Sequence, residues 1–363
     1  MQLDRLWLTD FRNYRSAEVA PAPDGLTVVE GANGEGKTNL LEAVGYLASL
    51  ASFRGAPAEA LVRVGCSSAV VRAEGVREGR SLLLEAELHV GGRDRVLVNR
   101  QPLRRTRDLL GALRVSVFSP DDLQLVKGGP GERRRYLDDT LVAVHRRHDA
   151  VRADLERVLR QRNTLLRQAG GRLTADIAST LDVWDAKLAT TGEELAAARL
   201  DVVTHIDPVV GKAYDQVASA AADIGVSYAR SWDGSLASAL AAARDLDLRR
   251  GVSTVGPHRD EVVLTIAGMP ARTHASQGEQ RSLALALRLA AHEIVTEAAG
   301  SPPILLLDDV FSELDPGRSE ALLRHLPPGQ AILTTAGLIP SGARPARRYR
   351  VRGGTVELVD EAA

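Results

Sequence analysis

Three short segments carry residue types that handle phosphate. The first is Gly31-Ala32-Asn33-Gly34-Glu35-Gly36-Lys37-Thr38, here called the phosphate loop. Its glycines let backbone N–H groups turn around an anion, Lys37 is placed to reach the β- and γ-phosphates, and Thr38 to bind Mg²⁺. Lysine is rare in this chain, so a chance match in a glycine-rich turn is the weaker interpretation. We predict a site for ATP and Mg²⁺, with Lys37 assisting catalysis.

The second segment is acidic and lies near the other end of the chain. Asp308 and Asp309 follow the apolar run Ile304–Leu307, which is typical of a buried parallel strand. Asp308 is predicted to bind Mg²⁺ together with Thr38, and Asp309 to polarise the attacking water. A strand that merely ends in a capping aspartate would explain one of the two carboxylates. It would not explain Ser312-Glu313-Leu314-Asp315 directly afterwards.

The third segment is Ser276-Gln277-Gly278-Glu279, here called the signature segment, at the head of the helix predicted over Gly278–Ala299. Free amides at a helix N-terminus form an anion site. The alternative is an ordinary capping box, in which Ser276 and Glu279 satisfy each other's backbone. Both interpretations can hold at once, because the cap is what presents the amides.

The elements that must position these segments follow from periodicity. Gly25–Glu30 predicts a strand before the phosphate loop, and Asn39–Leu50 predicts a helix after it. We expect an α/β fold with three parts: residues 1–118 with the phosphate loop and a β-rich region, a mainly helical insertion over 119–250, and 251–363 with the signature segment and acidic strand. Pro208 is expected to interrupt the helical part.

In this order the segments resemble the ABC-type ATPase heads of the SMC-like chromosome-maintenance group, and within it the RecF family of bacterial recombination mediators. Further segments that resemble this family are Leu8–Tyr14, Phe118–Leu123, Gly128–Asp138 and Gly256–Asp260. The resemblance implies a mixed-sheet ATPase lobe I with an inserted helical lobe II. Long coiled-coil arms are not expected, since no long heptad repeat is present.

The resemblance also implies an assembly. In this group ATP lies between the phosphate loop of one subunit and the signature segment of another, with Ser312 and Asp315 in the D-loop. It implies an ATP-dependent homodimer that binds double-stranded and gapped DNA and works with RecR, RecO and RecA in the cytoplasm, associated with the nucleoid when active. Hydrolysis is expected to be slow and stimulated by DNA. Asp309 stands where most ABC proteins have glutamate, and Thr334-Thr335 where many transporters have a histidine.

Charge gives weaker guidance about the DNA surface. The formal net charge is −1, so any contact with nucleic acid must come from a local patch. We predict one over Lys127–Arg167 in the helical insertion, where a solvated helix face is the alternative. Its candidate residues are Lys127, Arg133, Arg134, Arg135, Arg146 and Arg147.

Other functional classes receive less support. No apolar run reaches membrane-spanning length, and a lone Cys66 cannot form an intrachain disulfide. His145 and His148 lack a convincing third metal ligand, His258 is not predicted to be catalytic, and Gln124 is a candidate Q-loop residue. The alternative functions are a nucleotide-binding subunit of a membrane transporter and, more weakly, a nuclease attached to a related head.

Overall fold

A computed structural model describes residues 2–218 and 220–361 of the chain. The strands in chain order are β1 (Gln2–Phe11), β2 (Tyr14–Val19), β3 (Gly25–Glu30), β4 (Ser68–Arg77), β5 (Arg80–His89), β6 (Arg95–Val98), β7 (Gln101–Pro102), β8 (Val115–Phe118), β9 (Ile224–Ala229), β10 (Glu261–Ile266), β11 (Met269–Pro270), β12 (Ile304–Asp308), β13 (Gln330–Thr335), β14 (Pro345–Arg352) and β15 (Thr355–Glu361).

The helices in chain order are α1 (Lys37–Ser49), α2 (Leu123–Lys127), α3 (Pro130–Val144), α4 (Arg147–Ala169), α5 (Ala175–Val217), α6 (Leu236–Arg250), α7 (Ala271–His274), α8 (Gln277–Ala299) and α9 (Pro316–Arg324). The chain divides into two compact units. The first unit is Met1–Asp122 with Gln216–Ser219 and Ala291–Ala363, and the second is Leu123–Asp215 with Ala220–Ala290.

A mainly parallel sheet forms one layer of the first unit, in the order β15-β14-β3-β13-β12-β8. Every residue of β12 and of β13 is buried, which explains the continuous apolar run Ile304–Leu307 in β12. β13 pairs in parallel with both β3 and β12, so the carboxyl ends of these three strands meet at one edge. The phosphate loop after β3 and Asp308 at the end of β12 are therefore separated by a single strand.

A second sheet of the first unit is antiparallel, in the order β2-β1-β4-β5-β6-β7. Helix α1 carries Leu40, Leu41, Val44 and Leu47 in a core that also contains side chains of both sheets. The apolar spacing recognised in the sequence thus buries α1 on more than one side, because the helix has a sheet to contact in each direction. This packing fixes the helix that follows the phosphate loop.

The second unit combines helices with the small antiparallel sheet β11-β10-β9. Leu166, Leu181 and Leu248 join α4, α5 and α6 in a hydrophobic cluster. Helix α5 continues through Pro208, where the sequence suggested an interruption. A proline costs one intrahelical hydrogen bond, and the buried Ile206 and Val210 on either side keep the helix packed.

The units differ from the division expected from the sequence. The first boundary lies at Asp122, close to the expected residue 118, but residues 251–290 belong to the second unit. The reason is long-range pairing, because β10 pairs with β9 and Glu261 accepts a hydrogen bond from Arg133 of α3 at 3.0 Å. The chain returns to the first unit within α8. The signature segment therefore lies in the second unit, not in the C-terminal part of the first.

Candidate nucleotide site

The phosphate loop connects β3 to α1 in a shape that requires glycine. Gly34 and Gly36 have φ angles of 84° and 112°, in the left-handed region that other residues avoid. A Cβ atom at Gly31 would stand 2.5 Å from the carbonyl oxygen of Val351, and one at Gly36 would stand 2.4 Å from Nδ2 of Asn13. Conformation thus disfavours larger residues at Gly34 and Gly36, and lack of space disfavours them at Gly31 and Gly36.

The loop presents unused hydrogen-bond donors. The backbone N–H groups of Gly34, Gly36, Lys37 and Thr38 donate to no acceptor within residues 2–218 and 220–361. They lie where the loop enters α1, at the positive end of the helix dipole. This arrangement suits a phosphate group, which offers several acceptor oxygens and negative charge.

Lys37 points back into the loop. Its side chain donates to the carbonyl oxygen of Ala32 at 2.9 Å, and the residue is largely buried. Burial lowers the pKa of the Lys37 ammonium, while the negative charges of Asp309, Asp308 and Glu35 act in the opposite direction. A phosphate bound in the loop would place further negative charge beside the Lys37 ammonium and raise its pKa.

Thr38 and Asp308 meet, as the sequence predicts for two ligands of one metal ion. The Thr38 hydroxyl donates to Oδ1 of Asp308 at 2.7 Å, and Thr334 of β13 donates to the same oxygen at 2.8 Å. Burial raises the pKa of the Asp308 carboxyl, and both hydroxyl groups lower it. A hydroxyl and a carboxylate are hard oxygen donors, so this pair fits Mg²⁺, which takes few protein ligands and keeps several waters.

Asp309 adopts an unusual backbone conformation. Its φ and ψ are 47° and 28°, and its N–H donates to the Thr334 carbonyl oxygen at 3.2 Å and hydroxyl at 3.0 Å. The left-handed conformation costs a residue with a Cβ about 1–2 kcal/mol, and aspartate is among the residues that tolerate it best. No local sequence pattern predicts this backbone conformation.

The D-loop residues stabilise local structure. Ser312 donates to the carbonyl oxygen of Asp309 at 2.7 Å, and Asp315 caps α9 by accepting from the backbone of Arg318 at 3.0 Å. The Arg318 N–H is the largest cause of the lowered pKa of Asp315. These contacts hold the turn that follows the acidic strand.

The signature segment, in the second unit, forms the predicted capping box. The Ser276 N–H donates to a carboxylate oxygen of Glu279 at 2.7 Å, and the Glu279 N–H donates to the Ser276 hydroxyl at 3.3 Å. Ser276 and Gln277 are exposed, and Gly278 is half-buried. The start of α8 is thus ordered by its own side chains and accessible at the surface.

Comparison with known proteins identifies the family. Residues 2–334 match the RecF/RecN/SMC N-terminal domain family. The DNA replication and repair protein RecF of Streptomyces avermitilis is 46% identical, in a match covering 99% of this chain and 100% of that protein. RecF of Frankia alni is also 46% identical, with 98% and 99% covered. The chain belongs to the RecF family.

Solved structures agree with this assignment. A structure of the recombination mediator protein RecF with ATP superposes with a TM-score of 0.90 at 27% identity, covering 99% of this chain and 98% of that one. An Smc head from Pyrococcus furiosus, bound to a domain of ScpA, shares the fold at a TM-score of 0.56 and 16% identity. The predicted SMC-like ABC ATPase fold without a long coiled coil is confirmed. The relatives do not favour the transporter alternative, and none of the helices in the described residues could cross a bilayer.

Two residues that contact the phosphate loop, Asn13 and Tyr14, were not predicted to do so, although their segment Leu8–Tyr14 resembles the RecF family. Asn13 donates to the carbonyl oxygen of Glu35 at 2.7 Å and accepts from the side chain of Asn39 at 2.8 Å. The Tyr14 hydroxyl donates to the carbonyl oxygen of Gly36 at 2.9 Å. Both side chains stabilise the loop by donating to its backbone carbonyl oxygens. Local patterns could not reveal this role, since it depends on the contact between distant parts of the chain.

Two of the residues predicted for DNA contact are engaged within the second unit. Arg133 is buried and donates to Glu261 and to the carbonyl oxygens of Leu125 and Gly128. Arg134 donates to the carbonyl oxygen of Asp260 at 2.6 Å, and burial lowers its pKa. Both side chains therefore stabilise the fold. Arg135, Arg146 and Arg147 are exposed, and Lys127 is half-buried.

The histidines and the glutamine singled out in the sequence lie outside the nucleotide site described above. His258 is half-buried against the carbonyl oxygen of Ser253 at 3.0 Å, and burial lowers its pKa. His145 ends α3 while His148 lies in α4, and the described residues contain no group of three potential metal ligands. Gln124 is exposed on α2.

Proposed function

We propose that this RecF-family chain is an ATP-gated DNA clamp. The observation that carries the proposal is the contact between Thr38 and Asp308 beside the unused amides of the phosphate loop. It places hard oxygen ligands next to an anion site, which is the arrangement that a nucleoside triphosphate with Mg²⁺ requires. The bound metal ion would neutralise charge on the phosphates.

Each residue of the site then has a definite task. The amides of Gly34, Gly36, Lys37 and Thr38 donate to phosphate oxygens, and Lys37 exchanges its bond with Ala32 for the β- and γ-phosphates. Thr38 and Asp308 hold Mg²⁺. Asp309 orients and polarises the attacking water.

The exposed capping box supports the intersubunit part of the proposal. Ser276 and Glu279 order the start of α8 without help from another chain, and Ser276 remains accessible. In a two-fold dimer, the signature segment of each protomer would contact the ATP of its partner, closing two equivalent sites. ATP then shifts the population toward the dimer, and slow hydrolysis releases it.

The pathway is proposed from the relatives. Curated relatives are DNA replication and repair proteins, and the solved RecF structures are described within the RecFOR pathway. We infer that the dimer binds duplex DNA near single-strand gaps, with DNA stimulating its slow hydrolysis. It would cooperate with RecR and RecO so that RecA replaces single-strand-binding protein.

The molar mass in solution, measured by light scattering with ATP and Mg²⁺, tests the proposed dimer in which ATP lies between the two subunits. Wild type is expected to become dimeric. Lys37→Met should remain monomeric because it loses phosphate contacts. Ser276→Arg should also remain monomeric, although it still binds nucleotide.

A matched control separates loss of the interface from loss of a helix cap. Ser235 is likewise an exposed N-cap, of α6, and its hydroxyl accepts from the Ser238 N–H at 3.2 Å. Ser235→Arg removes a comparable cap and should dimerise normally with ATP. Normal dimerisation of Ser276→Arg would show that the signature segment does not join the subunits.

A further inference from the structure

A cluster of exposed arginines lies in the first unit, outside the nucleotide site. The segment 93–107, which includes β6 and β7, contains Arg93, Arg95, Arg100, Arg104, Arg105 and Arg107, all of them exposed. Five of these, all except Arg100, line a groove of about 500 Å³, here called the arginine groove. Val96, Pro102 and Leu103 also line it. The antiparallel pairing of β6 with β7 brings these arginines together.

Little negative charge opposes the arginine groove. Asp94 is its acidic residue, and its carboxylate accepts from the His89 N–H at 3.0 Å and the Tyr46 hydroxyl at 3.4 Å. Arg95 lies 3.6 Å from Glu87. Across the described ranges, no carboxylate lies within 4.0 Å of Arg93, Arg104 or Arg105. The groove therefore carries a net positive charge.

The lining chemistry favours one class of ligand. Guanidinium groups are donors without acceptors, and the carboxylate of Asp94 is already engaged. An uncharged peptide would bring carbonyl acceptors but no negative charge to balance the guanidinium groups. A sugar–phosphate backbone brings acceptors and negative charge, and a guanidinium can contact phosphate with two parallel bonds.

The groove also adjoins the helix that follows the phosphate loop. A neighbouring cavity of about 340 Å³ is lined by Tyr46 and Leu50, at the C-terminal end of α1, together with Arg93 and Thr106. The hydrogen bond between Tyr46 and Asp94 connects α1 to the turn before β6. A ligand in the groove would therefore lie at one end of the helix whose other end begins at Lys37.

We propose that the arginine groove binds the phosphate backbone of duplex DNA. The proposal rests on the DNA-binding function proposed above and assigns that function to a different surface from the α3–α4 region indicated by the sequence. Contacts to phosphate make the binding independent of base sequence and sensitive to salt.

The test compares three double variants that each remove two exposed arginines. Arg104→Ala/Arg105→Ala removes groove residues, Arg135→Ala/Arg147→Ala alters the surface around α3 and α4, and Arg80→Ala/Arg344→Ala controls for charge elsewhere in the first unit. The probe is a fluorescent 30-base-pair duplex titrated with protein, ATP and Mg²⁺ over a series of salt concentrations. Thermal melting and nucleotide binding verify that each variant is folded.

The groove variant is expected to bind about tenfold more weakly than wild type near physiological salt. The slope of log affinity against log salt should fall by about 2, one phosphate contact per arginine, while the other two variants resemble wild type. An unchanged groove variant, or an equal loss in the Arg80/Arg344 control, would overturn the assignment while leaving DNA binding intact. Loss only in the Arg135/Arg147 variant would place the contact on α3 and α4 instead.

Two further outcomes separate the proposals. If wild type binds no duplex in any nucleotide state, the DNA-binding function itself fails, and the groove proposal fails with it. Poly-L-glutamate provides a probe for an acidic protein segment. If the groove variant loses affinity for poly-L-glutamate but not for DNA, the occupant is an acidic polypeptide and the DNA proposal is wrong.

Discussion

At the scale of single residues, the backbone gives a reason for the short carboxylate of Asp309, directly after the aspartate proposed to bind Mg²⁺. Asp309 adopts a left-handed conformation that aspartate and asparagine tolerate better than glutamate. The sequence connected Asp309 with slow turnover only through its side-chain length. The structure adds that its position is fixed by two hydrogen bonds to Thr334. The residue type at position 309 is thus constrained by backbone conformation as well as by side-chain length.

Asp309→Asn preserves this conformation and removes the base. We expect hydrolysis in single-turnover assays to fall about 10²–10⁴-fold, while ATP binding and the melting temperature stay close to wild type. Asp154→Asn is the control, because Asp154 is an exposed residue of α4 with no role in the proposed site, and the turnover should change little. Unaltered hydrolysis by Asp309→Asn would assign the water to another group.

A second residue predicts how stability depends on pH. Burial lowers the pKa of His292 to about 4, and its Nδ1 lies 2.9 Å from the Ser116 hydroxyl. The unfolded chain binds a proton near the ordinary pKa of about 6.5, whereas the folded chain resists it. The contribution to stability is therefore complete above pH 6.5 and declines as the pH falls toward 4.

Urea denaturation at pH 8 and pH 5 measures this effect. His292 alone should lower the free energy of unfolding at pH 5 by about 2 kcal/mol relative to pH 8. His292→Gln removes the titrating group and should show a loss smaller by that amount. If both proteins lose the same stability, His292 takes no part in the acid response.

At the scale of elements, a buried ionic cluster joins three helices of the second unit. Arg162 of α4 is fully buried and donates to Asp185 of α5 at 2.6 Å and to Asp247 of α6 at 2.7 Å. It also donates to Ser253, in the segment before β10, at 2.9 Å. One guanidinium thus orients three helices and the connection toward the signature segment.

Arg162→Met should lower the free energy of unfolding by about 3–5 kcal/mol, because it leaves buried carboxylates without their partner. The control is Arg157→Met on the same helix, whose exposed pair with Asp154 at 2.7 Å is expected to contribute about 1 kcal/mol or less. Equal losses of unfolding free energy in the two variants would mean that the buried ionic cluster stabilises the protein no more than an exposed ion pair does.

At the scale of the whole molecule, the proposed dimer, with ATP bound between two subunits, predicts complementation between two inactive variants. Lys37→Met retains Ser276, and Ser276→Arg retains Lys37. A mixed dimer would contain one site with both residues intact and one with neither. Because neither variant dimerises with itself, every dimer in an equimolar mixture is mixed, and the mixture should recover roughly half of wild-type hydrolysis. Each variant alone, at the same total concentration, provides the baseline, and no recovery on mixing would contradict the composite site.

The sequence could predict what depends on neighbouring residues. The phosphate loop, the Ser276–Glu279 capping box and the buried strand before Asp308 each have a local chemical pattern, and all three are present in the structure. The contact between Thr38 and Asp308 was also predictable, because the carboxyl ends of parallel strands lie at the same edge of a sheet.

What remained hidden depends on contacts between distant segments. Arg133 was indistinguishable from a surface arginine until β10 brought Glu261 beside it. The role of Asn13 likewise requires β1 and β2 to pack behind the phosphate loop. Pairing of β10 with β9 assigned residues 251–290 to the second unit. Composition and periodicity contain no information about such partners.

The position of β3 between β13 and β14 also has a consequence during biosynthesis. Glu30 at the end of β3 pairs with Arg350 of β14, 320 positions later in the chain. At about 5–20 residues per second, the ribosome needs roughly 15–65 seconds to make that segment. For most of this time β3 lacks both neighbouring strands. ATP can therefore assist folding of its own site only after β13 and β14 have been made, and the segments made before them must remain soluble without it.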